Sequence, residues 1–300
     1  MLEVFLEVIL PVLTVAALGG WVADRVGIEV KPLSQLTFYV FSPALAFDTL
    51  ADVELDGSVA ARIALVGVIA WVGMVVVSMA VSAVLGHDRA TRAAMALVAA
   101  LVNGGNMGLP IAVLAFGDAG LEVAIIAFVS SVVLANTGGI VLASMAGGVK
   151  LRQAWIAPLL VPSVWAAVLG LAVAFGDIAV PDAIGSTTAT LAGASIPVML
   201  VVLGMHVRRP VQTEVRRDLA VAVALRLVGG PLLAWGATLA LGLDGVARDT
   251  LIVLGGMPTA VITTIYATQY GARPVFVTRA VIVSTLCSIA SLTVLVALLR

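Results

Sequence analysis

The sequence predicts an all-α polytopic membrane protein with ten transmembrane helices. Of its 300 residues, 62% are hydrophobic and 11% are charged, whereas a soluble domain carries about 25% charged residues. The mean hydropathy is +1.18. Apolar stretches of roughly 17 to 25 residues, long enough to cross a bilayer, alternate with connections that are too short to hold a soluble domain.

Ten stretches fit this length, and we take each as a transmembrane span. In chain order they are residues 4–22, 32–50, 60–85, 93–116, 123–145, 155–175, 184–207, 220–241, 251–267 and 275–299. Charged connections separate them, from Asp24-Arg25 after span 1 to Arg273 before span 10. Span 1 follows Glu3, where a secretory signal needs positive charge, so we predict that this span is retained.

Basic residues are concentrated in alternate connections. One set of connections contains Arg25, Lys31, Arg89, Arg92, Lys150, Arg152, Arg208, Arg209, Arg216, Arg217 and Arg273, and the other set contains Arg62, Arg248 and Arg300. Because basic residues favour the cytoplasmic side, the first set is predicted to be cytoplasmic. With an even number of spans, we expect a multi-pass protein of the cell membrane with both termini extracytoplasmic.

Several functional classes are disfavoured by composition. The formal net charge is -1 and no Lys/Arg block is present, which argues against a nucleic-acid partner. The single cysteine, Cys287, cannot form an intrachain disulfide. Neither His87 nor His206 has a partner at metal-ligand spacing, and no His-Glu-x-x-His motif occurs, so we predict no metal, no cofactor and no enzyme.

The fourth span contains an unusually polar sequence. Residues 103–110 read Asn-Gly-Gly-Asn-Met-Gly-Leu-Pro. The glycines loosen the helix and the proline removes a backbone donor, while the two asparagines offer amides in place of lost partners. In hydrocarbon such a break is tolerated only where protein or a water-filled cavity satisfies the freed groups. The sequence therefore predicts a broken helix beside a site for a polar ligand.

Helix breakers fall at corresponding places in the two halves of the chain. Residues 108–110 of span 4 match residues 255–258 of span 9, and Ser42-Pro43 matches Ile196-Pro197. Since each half contains an odd number of spans, the second half must be inverted relative to the first. We therefore predict two inverted five-helix repeats, residues 1–148 and 149–300, an arrangement typical of secondary transporters.

The paired breaks have an electrostatic consequence. Each lets a half-helix begin inside the bilayer, with Pro110 and Pro258 acceptable in its first turn. The exposed N–H groups and partial positive charge of two converging N-termini favour an anionic group such as a carboxylate. An alternative stays open, in which the prolines only kink packed helices.

Four sequence segments together resemble the auxin efflux carriers, a membrane transport family that includes plant PIN proteins and bacterial organic-anion permeases. They are residues 102–111 with 115–117, residues 36–45, residues 193–197 with 203–204, and residues 257–260. The resemblance covers nearly the whole chain. The long cytoplasmic loop of plant members is missing, so the chain is similar to the bacterial or archaeal type.

The resemblance implies that helices 4 and 9 cross near the bilayer midplane beside the substrate. It also implies an elevator mechanism and a homodimer, with a scaffold of helices 1, 2, 6 and 7 and a transport domain of helices 3–5 and 8–10. The family's substrate-contacting asparagine corresponds to Asn106, with Asn103 as the alternative. Plant members have a second asparagine near the crossing in span 9, where this chain has Gly255-Gly256-Met257.

The predicted substrate-binding residues surround the two breaks. They are Asn106, Asn103, Gly105, Met107, Gly108, Pro110, Met257, Pro258, Thr259 and Asn136. We include Asn136 of span 5 because an amide satisfies itself within its own helix less easily than a hydroxyl does. Arg226 and Gln269 are candidates for anion attraction or coupling. Arg226 lies about 14 Å of helix rise beyond Arg217, so it needs a partner or a water-filled path, and structural pairing stays open.

These observations favour a secondary active or facilitative transporter that moves a small organic anion, such as a carboxylate, across the lipid bilayer. A channel-like uniport pathway and a sodium-coupled symporter are the alternatives. Span 9 offers only neutral polar side chains and no acidic one for sodium, so we expect facilitated or proton-linked transport; the neutral ones are Thr259, Thr263, Thr264 and Gln269.

Overall fold

The computed structural model describes residues 2–53, 56–147, 161–176, 178–207 and 217–300. We number the helices in this part of the chain from α1 to α12. They are α1 (Leu2–Val26), α2 (30–51), α3 (Gly57–Val84), α4 (Arg89–Ala100), α5 (104–116), α6 (118–147), α7 (Pro162–Phe175), α8 (Asp182–Val207), α9 (Arg217–Ala240), α10 (Gly245–Gly255), α11 (Ile262–Tyr270) and α12 (Pro274–Leu299).

Within the described residues, six helical segments are long and apolar enough to cross a membrane. They are Leu2–Val26, Gly57–Val84, Gly104–Ala146, Asp182–His206, Arg217–Ala240 and Pro274–Leu299. The predicted all-α fold with several membrane-length helices is therefore confirmed, whereas the ten-span inverted arrangement stays a prediction. The repeat boundary at residues 148/149 and the basic residues Lys150, Arg152, Arg208, Arg209 and Arg216 lie outside the described residues.

In the part of the chain that the structure describes, four helical prolines follow a widened, π-helical turn. These turns are Phe5–Ile9 before Pro11, Thr37–Phe41 before Pro43, Gly104–Gly108 before Pro110 and Leu225–Gly229 before Pro231. A proline lacks an N–H and its ring crowds the carbonyl one turn earlier, and a π-helical turn relieves both problems locally. The breaker at Pro43 therefore does not interrupt α2, and α8 also continues through Pro197.

Two helices do break, at positions that differ slightly from the prediction. Residues 101–103 are non-helical between α4 and α5, and residues 256–261 separate α10 from α11. The prediction that Pro110 lies in the first turn of a half-helix is wrong by one turn, because α5 begins at Gly104 with the π-helical turn that precedes Pro110. The same prediction for Pro258 is wrong: α11 begins only at Ile262, because the residues around Pro258 are extended and pair with the first break.

A glycine turns the chain between α5 and α6. Gly117 has φ 67° and ψ −157° inside the segment Leu109–Leu134, which is otherwise helical. A side chain is strained at such positive φ, so glycine suits the position.

The helices pack in two groups. In the first, α1 packs on α8, and α2 packs on both α7 and α8. A Cβ added to Gly204 of α8 would lie 1.7 Å from the carbonyl oxygen of Ala16 in α1, so these helices touch backbone to backbone. The second group contains α3 to α6 and α9 to α12, and its core lies around the two breaks.

Some connections that were predicted to lie on the same side of the membrane are in contact with each other. Arg62 Nη1 lies 3.3 Å from the carbonyl oxygen of Leu241, and His87 Nε2 lies 3.4 Å from an Asp218 carboxylate oxygen. The chain ends also meet, since Arg300 Nη1 lies 2.9 Å from Glu7 Oε2. Both ends of the described chain therefore lie on one side of the molecule, and the side of the membrane that they face stays a prediction.

Candidate functional site

The two broken helices cross at their non-helical residues. Val102 and Thr259 form an antiparallel bridge. The Asn103 N–H donates to the Pro258 carbonyl oxygen at 2.8 Å, and the Ala260 N–H donates to the Leu101 carbonyl oxygen at 2.8 Å. Each break thus satisfies backbone groups that the other has freed, which is what an interrupted helix needs inside a membrane protein.

Thr259 ties the crossing to α4 and α12. Its side chain is fully buried, and its hydroxyl donates to the Val98 carbonyl oxygen of α4 at 2.9 Å. The Thr259 N–H donates to the Ser284 hydroxyl of α12 at 3.2 Å. Ser284 was not among the predicted site residues, because a serine in a membrane helix usually bonds its own backbone or allows close packing.

Asn103 lies at the centre of an inverse γ-turn. Its φ of −78° and ψ of 63° match that turn, and the Gly104 N–H donates to the Val102 carbonyl oxygen at 2.9 Å. The Asn103 carbonyl oxygen accepts from the Gly108 N–H at 3.1 Å. Its side chain is 5% exposed, and the Nδ2 atom has no hydrogen-bond partner among the described residues. The turn therefore holds a buried donor that is free to meet a ligand or water oxygen.

Asn106 lies in the π-helical turn Gly104–Gly108 that starts α5. Its side chain is half-buried and makes no hydrogen bond within the described part of the chain. The same turn packs against α8, a member of the first helix group. Asn106 therefore belongs to a turn that lies where the two groups meet.

Neighbouring positions in this turn are tightly packed. A Cβ added to Gly108 would lie 2.8 Å from Leu254 Cδ2, and one added to Gly105 would lie 3.0 Å from Phe128 Cε2. The buried Met107 sulfur lies 3.9 Å from the Ser288 hydroxyl. Pro110, Met257 and Pro258 are buried as well. Among the predicted residues of this turn, the packing leaves Gly105 and Asn106 partly accessible.

A cavity of about 70 Å³ lies beside the crossing, within the second helix group. Its wall is mostly apolar and comes from α3, α6, α9, α10 and the residues around the first break. Trp71, Phe128, Ser131 and Arg226 contribute the largest or most polar side chains. Trp71 and Phe128 could not be selected from the sequence, because both lie in apolar helices where aromatic residues are common.

Arg226 is the buried cation of this cavity wall. The side chain is 3% exposed. Its Nη1 donates to the Ala99 carbonyl oxygen at 2.6 Å, and its Nη2 donates to the Gly255 carbonyl oxygen. Within the described residues, these bonds join α9 to the ends of α4 and α10. The sequence left open whether Arg226 serves transport or is paired with another group for structural reasons. The structure shows such pairing, with two backbone carbonyl groups.

Comparison with known proteins identifies the family. A family model described as "Membrane transport protein" matches residues 4–296. The chain belongs to this membrane transport family. A protein of Methanothermobacter thermautotrophicus (strain Delta H), described as an uncharacterized transporter, is 25% identical over 294 residues, which cover 95% of each chain. The predicted membership among the auxin efflux carriers is thereby confirmed, and the protein is a multi-pass membrane transporter rather than an enzyme.

Two other predicted residues of this transporter, Asn136 and Gln269, have surroundings unlike those of Asn103 and Asn106. Asn136 Nδ2 donates to the Val132 carbonyl oxygen at 2.8 Å, and Asn136 Oδ1 accepts from the Tyr266 hydroxyl at 3.1 Å. The expectation that this amide is hard to satisfy in its own helix was wrong, because Val132 lies one turn back. Gln269 is exposed near the end of α11. No hydrogen bond within the described residues joins it to Arg226.

Proposed function

We propose that the protein is a secondary active or facilitative transporter that binds a small organic anion, most simply a carboxylate, at the turn Gly104–Gly108. The observation that carries this proposal is the half-buried Asn106 amide, which has no hydrogen-bond partner in the described chain and lies in the first turn of α5. An amide with free donors at the start of a helix is a suitable group to receive a carboxylate oxygen.

The helix start supplies the charge complement. The first turn of a helix presents N–H groups that lack intrahelical acceptors and carries about half a positive charge. Helix N-termini bind anions for this reason. The Nδ2 atom of Asn103, which has no partner in the described chain, adds a buried donor one residue before this turn. A carboxylate bound here therefore has amide and backbone donors available from the same short segment.

We further propose the elevator arrangement of ten spans in two inverted repeats. The packing of α1, α2, α7 and α8 on one another supports a scaffold made of predicted spans 1, 2, 6 and 7. The contact between the turn Gly104–Gly108 and α8 supports a substrate position between that scaffold and the moving helices. The inverted crossing of two broken helices supports the repeats. A homodimer, formed through the scaffold, completes the proposal.

Transport is proposed to be facilitated or proton-linked. Residues 251–270, which form the second half of the crossing, contain Thr259 and Thr263 but no Asp or Glu. A sodium-coupled symporter of the same fold is the alternative, and strong stimulation of uptake by an inward sodium gradient is the result that would favour it.

The test is a thermal-shift screen of the purified protein against mono- and dicarboxylates and aromatic acids. We expect at least one acid to raise the melting temperature of the wild type in a saturable manner. The Asn106→Ala variant should lose this shift, while Gln35→Ala, which removes an exposed amide of α2, should keep it. A shift that persists in Asn106→Ala would remove Asn106 from the site, and the absence of any shift across the panel would contradict anion binding.

A further inference from the structure

Arg226 is a charge that the proposed substrate site does not use. A charged side chain at the centre of a membrane helix is costly to insert into hydrocarbon, so its position needs specific compensation. In the described chain, that compensation comes from two backbone carbonyl oxygens, of Ala99 and Gly255. None of the hydrogen bonds or ion pairs that the structure shows for Arg226 involves a carboxylate.

Both carbonyl groups lie at helix C-termini. Ala99 is in the last turn of α4, which ends at Ala100, and Gly255 is the last residue of α10. A helix C-terminus leaves carbonyl groups without intrahelical donors and carries about half a negative charge. Two such ends that converge on one point make a site for a cation. In transporters with interrupted helices, half-helix C-termini and unwound carbonyl groups commonly coordinate a coupling ion.

We propose that the Arg226 guanidinium is a built-in cation that occupies the site made by the C-termini of α4 and α10, so that the crossing is held together without a bound alkali ion. The structural part of this proposal is independent of the substrate. Its consequence, sodium-independent transport, rests on the proposed function.

The surroundings favour this role over direct attraction of the substrate anion. Both terminal nitrogens of the guanidinium already donate to carbonyl oxygens. The cavity that Arg226 lines is formed by α3, α6, α9, α10 and the first break, and none of its lining residues comes from the described parts of α1, α2, α7 or α8. Arg226 therefore lies inside the second helix group, whereas the turn with Asn106 lies against α8.

The cavity provides the means of testing the proposal. It already measures about 70 Å³ with the arginine in place. Replacement of Arg226 by alanine extends it to the carbonyl oxygens of Ala99 and Gly255 and leaves those groups without their cation. A small planar cation with the same donor groups, guanidinium itself, is then the matched occupant.

The experiment measures melting temperatures of the purified protein in detergent without substrate. Arg226→Ala should lower the melting temperature by about 5 °C or more, given that 1 kcal/mol corresponds to about 2 to 4 °C in a chain of 150 to 250 residues. Millimolar guanidinium chloride should restore at least half of that loss, and sodium chloride at the same ionic strength should restore less. Gly204→Ala, which strains the contact between α1 and α8 instead, is the control, and guanidinium should not raise its melting temperature.

A second pair of variants keeps the proposal testable if Arg226→Ala does not fold. Arg226→Lys retains the charge and Arg226→Met retains most of the side-chain volume, so the lysine variant should be clearly the more stable. Equal stability of these two variants, or an Arg226→Ala variant that melts like the wild type or ignores guanidinium, would overturn the proposal.

Uptake assays separate this proposal from the proposed function. Wild-type uptake of the carboxylate found in the screen should be the same with and without a sodium gradient. If no carboxylate binds or moves, the proposed function fails, while the melting experiment still decides the role of Arg226. If carboxylate uptake is driven by sodium, the transport function stands and sodium-independent transport, the consequence drawn from the built-in cation, is rejected.

Discussion

Asn103 and Asn106 serve the crossing in different ways. The backbone of Asn103 builds the γ-turn and bonds to Pro258, whereas Asn106 lies in the first turn of the helix that follows. The sequence could indicate that both amides lie at a break, because no other reason for two asparagines in an apolar span is evident. It could not separate their roles, because the φ and ψ of Asn103 depend on pairing with residues more than 150 positions away.

Replacement of Asn103 by leucine tests the buried amide. A buried donor without a partner costs about 1 to 3 kcal/mol, and leucine removes that donor at similar volume. We expect the melting temperature of Asn103→Leu to equal or exceed that of the wild type, while the carboxylate-induced shift becomes smaller. Thermal melts with and without ligand measure both quantities. Marked destabilisation together with an unchanged ligand shift would mean that the amide serves the fold alone.

Asp88 gives a pH-dependent prediction outside the membrane helices. It caps the N-terminus of α4, and hydrogen bonds from Thr91, first from its hydroxyl and then from its N–H, lower the pKa of the Asp88 carboxyl below its ordinary 3.8. Because the folded-state pKa is the lower one, this stabilisation is present above the unfolded-state pKa and is lost as the pH falls through the folded-state pKa.

The melting temperature of the wild type should therefore fall more steeply than that of Asp88→Ala as the pH is lowered below about 4. At neutral pH the alanine variant should melt slightly lower, because the helix cap is missing. Melting curves of the two proteins across this pH range provide the check. Parallel curves would show that the cap carries no pH-dependent stability.

At the scale of helices, proline content alone does not locate the breaks. α8 continues through Pro197, and Pro11, Pro43 and Pro231 follow π-helical turns inside continuous helices. The first true break, at residues 101–103, precedes the glycine run and contains no proline. A helix stops there because a second interrupted segment supplies the missing hydrogen-bond partners. Local sequence predicts a weak point within a few residues, and tertiary pairing fixes the exact position.

The contact between α1 and α8 gives the sharpest prediction at this scale. Gly204→Ala places a Cβ against the Ala16 carbonyl group, and overpacking of this kind costs about 1 to 3 kcal/mol or more. We expect the melting temperature to fall by about 5 °C or more. Gly193→Ala in the same helix is the matched control, because a Cβ there meets no atom within 4 Å. If both variants melt alike, α1 and α8 do not pack as described.

At the scale of the whole molecule, the fold class and the family could be predicted from composition and from the family resemblance. Hydropathy alone indicated a multi-pass helical protein, and motifs around residues 102–111 and 257–260 indicated the transporter family. The bonding of Arg226 was not accessible from the sequence, because a buried arginine can meet a carboxylate, a substrate or a backbone carbonyl. Only the convergence of the ends of α4 and α10 shows which of these applies.

The most direct test of the central claim is counterflow in proteoliposomes loaded with the unlabelled carboxylate that the screen identifies. We expect the wild type to accumulate external labelled carboxylate transiently and saturably, as a carrier does. The Asn106→Ala variant should lose at least about ten-fold in initial rate, the size of a 1.4 kcal/mol loss in binding, and Gln35→Ala should match the wild type. Unsaturable flux without transient accumulation, or an Asn106→Ala variant as active as the wild type, would contradict a carrier with its anion site at the crossing.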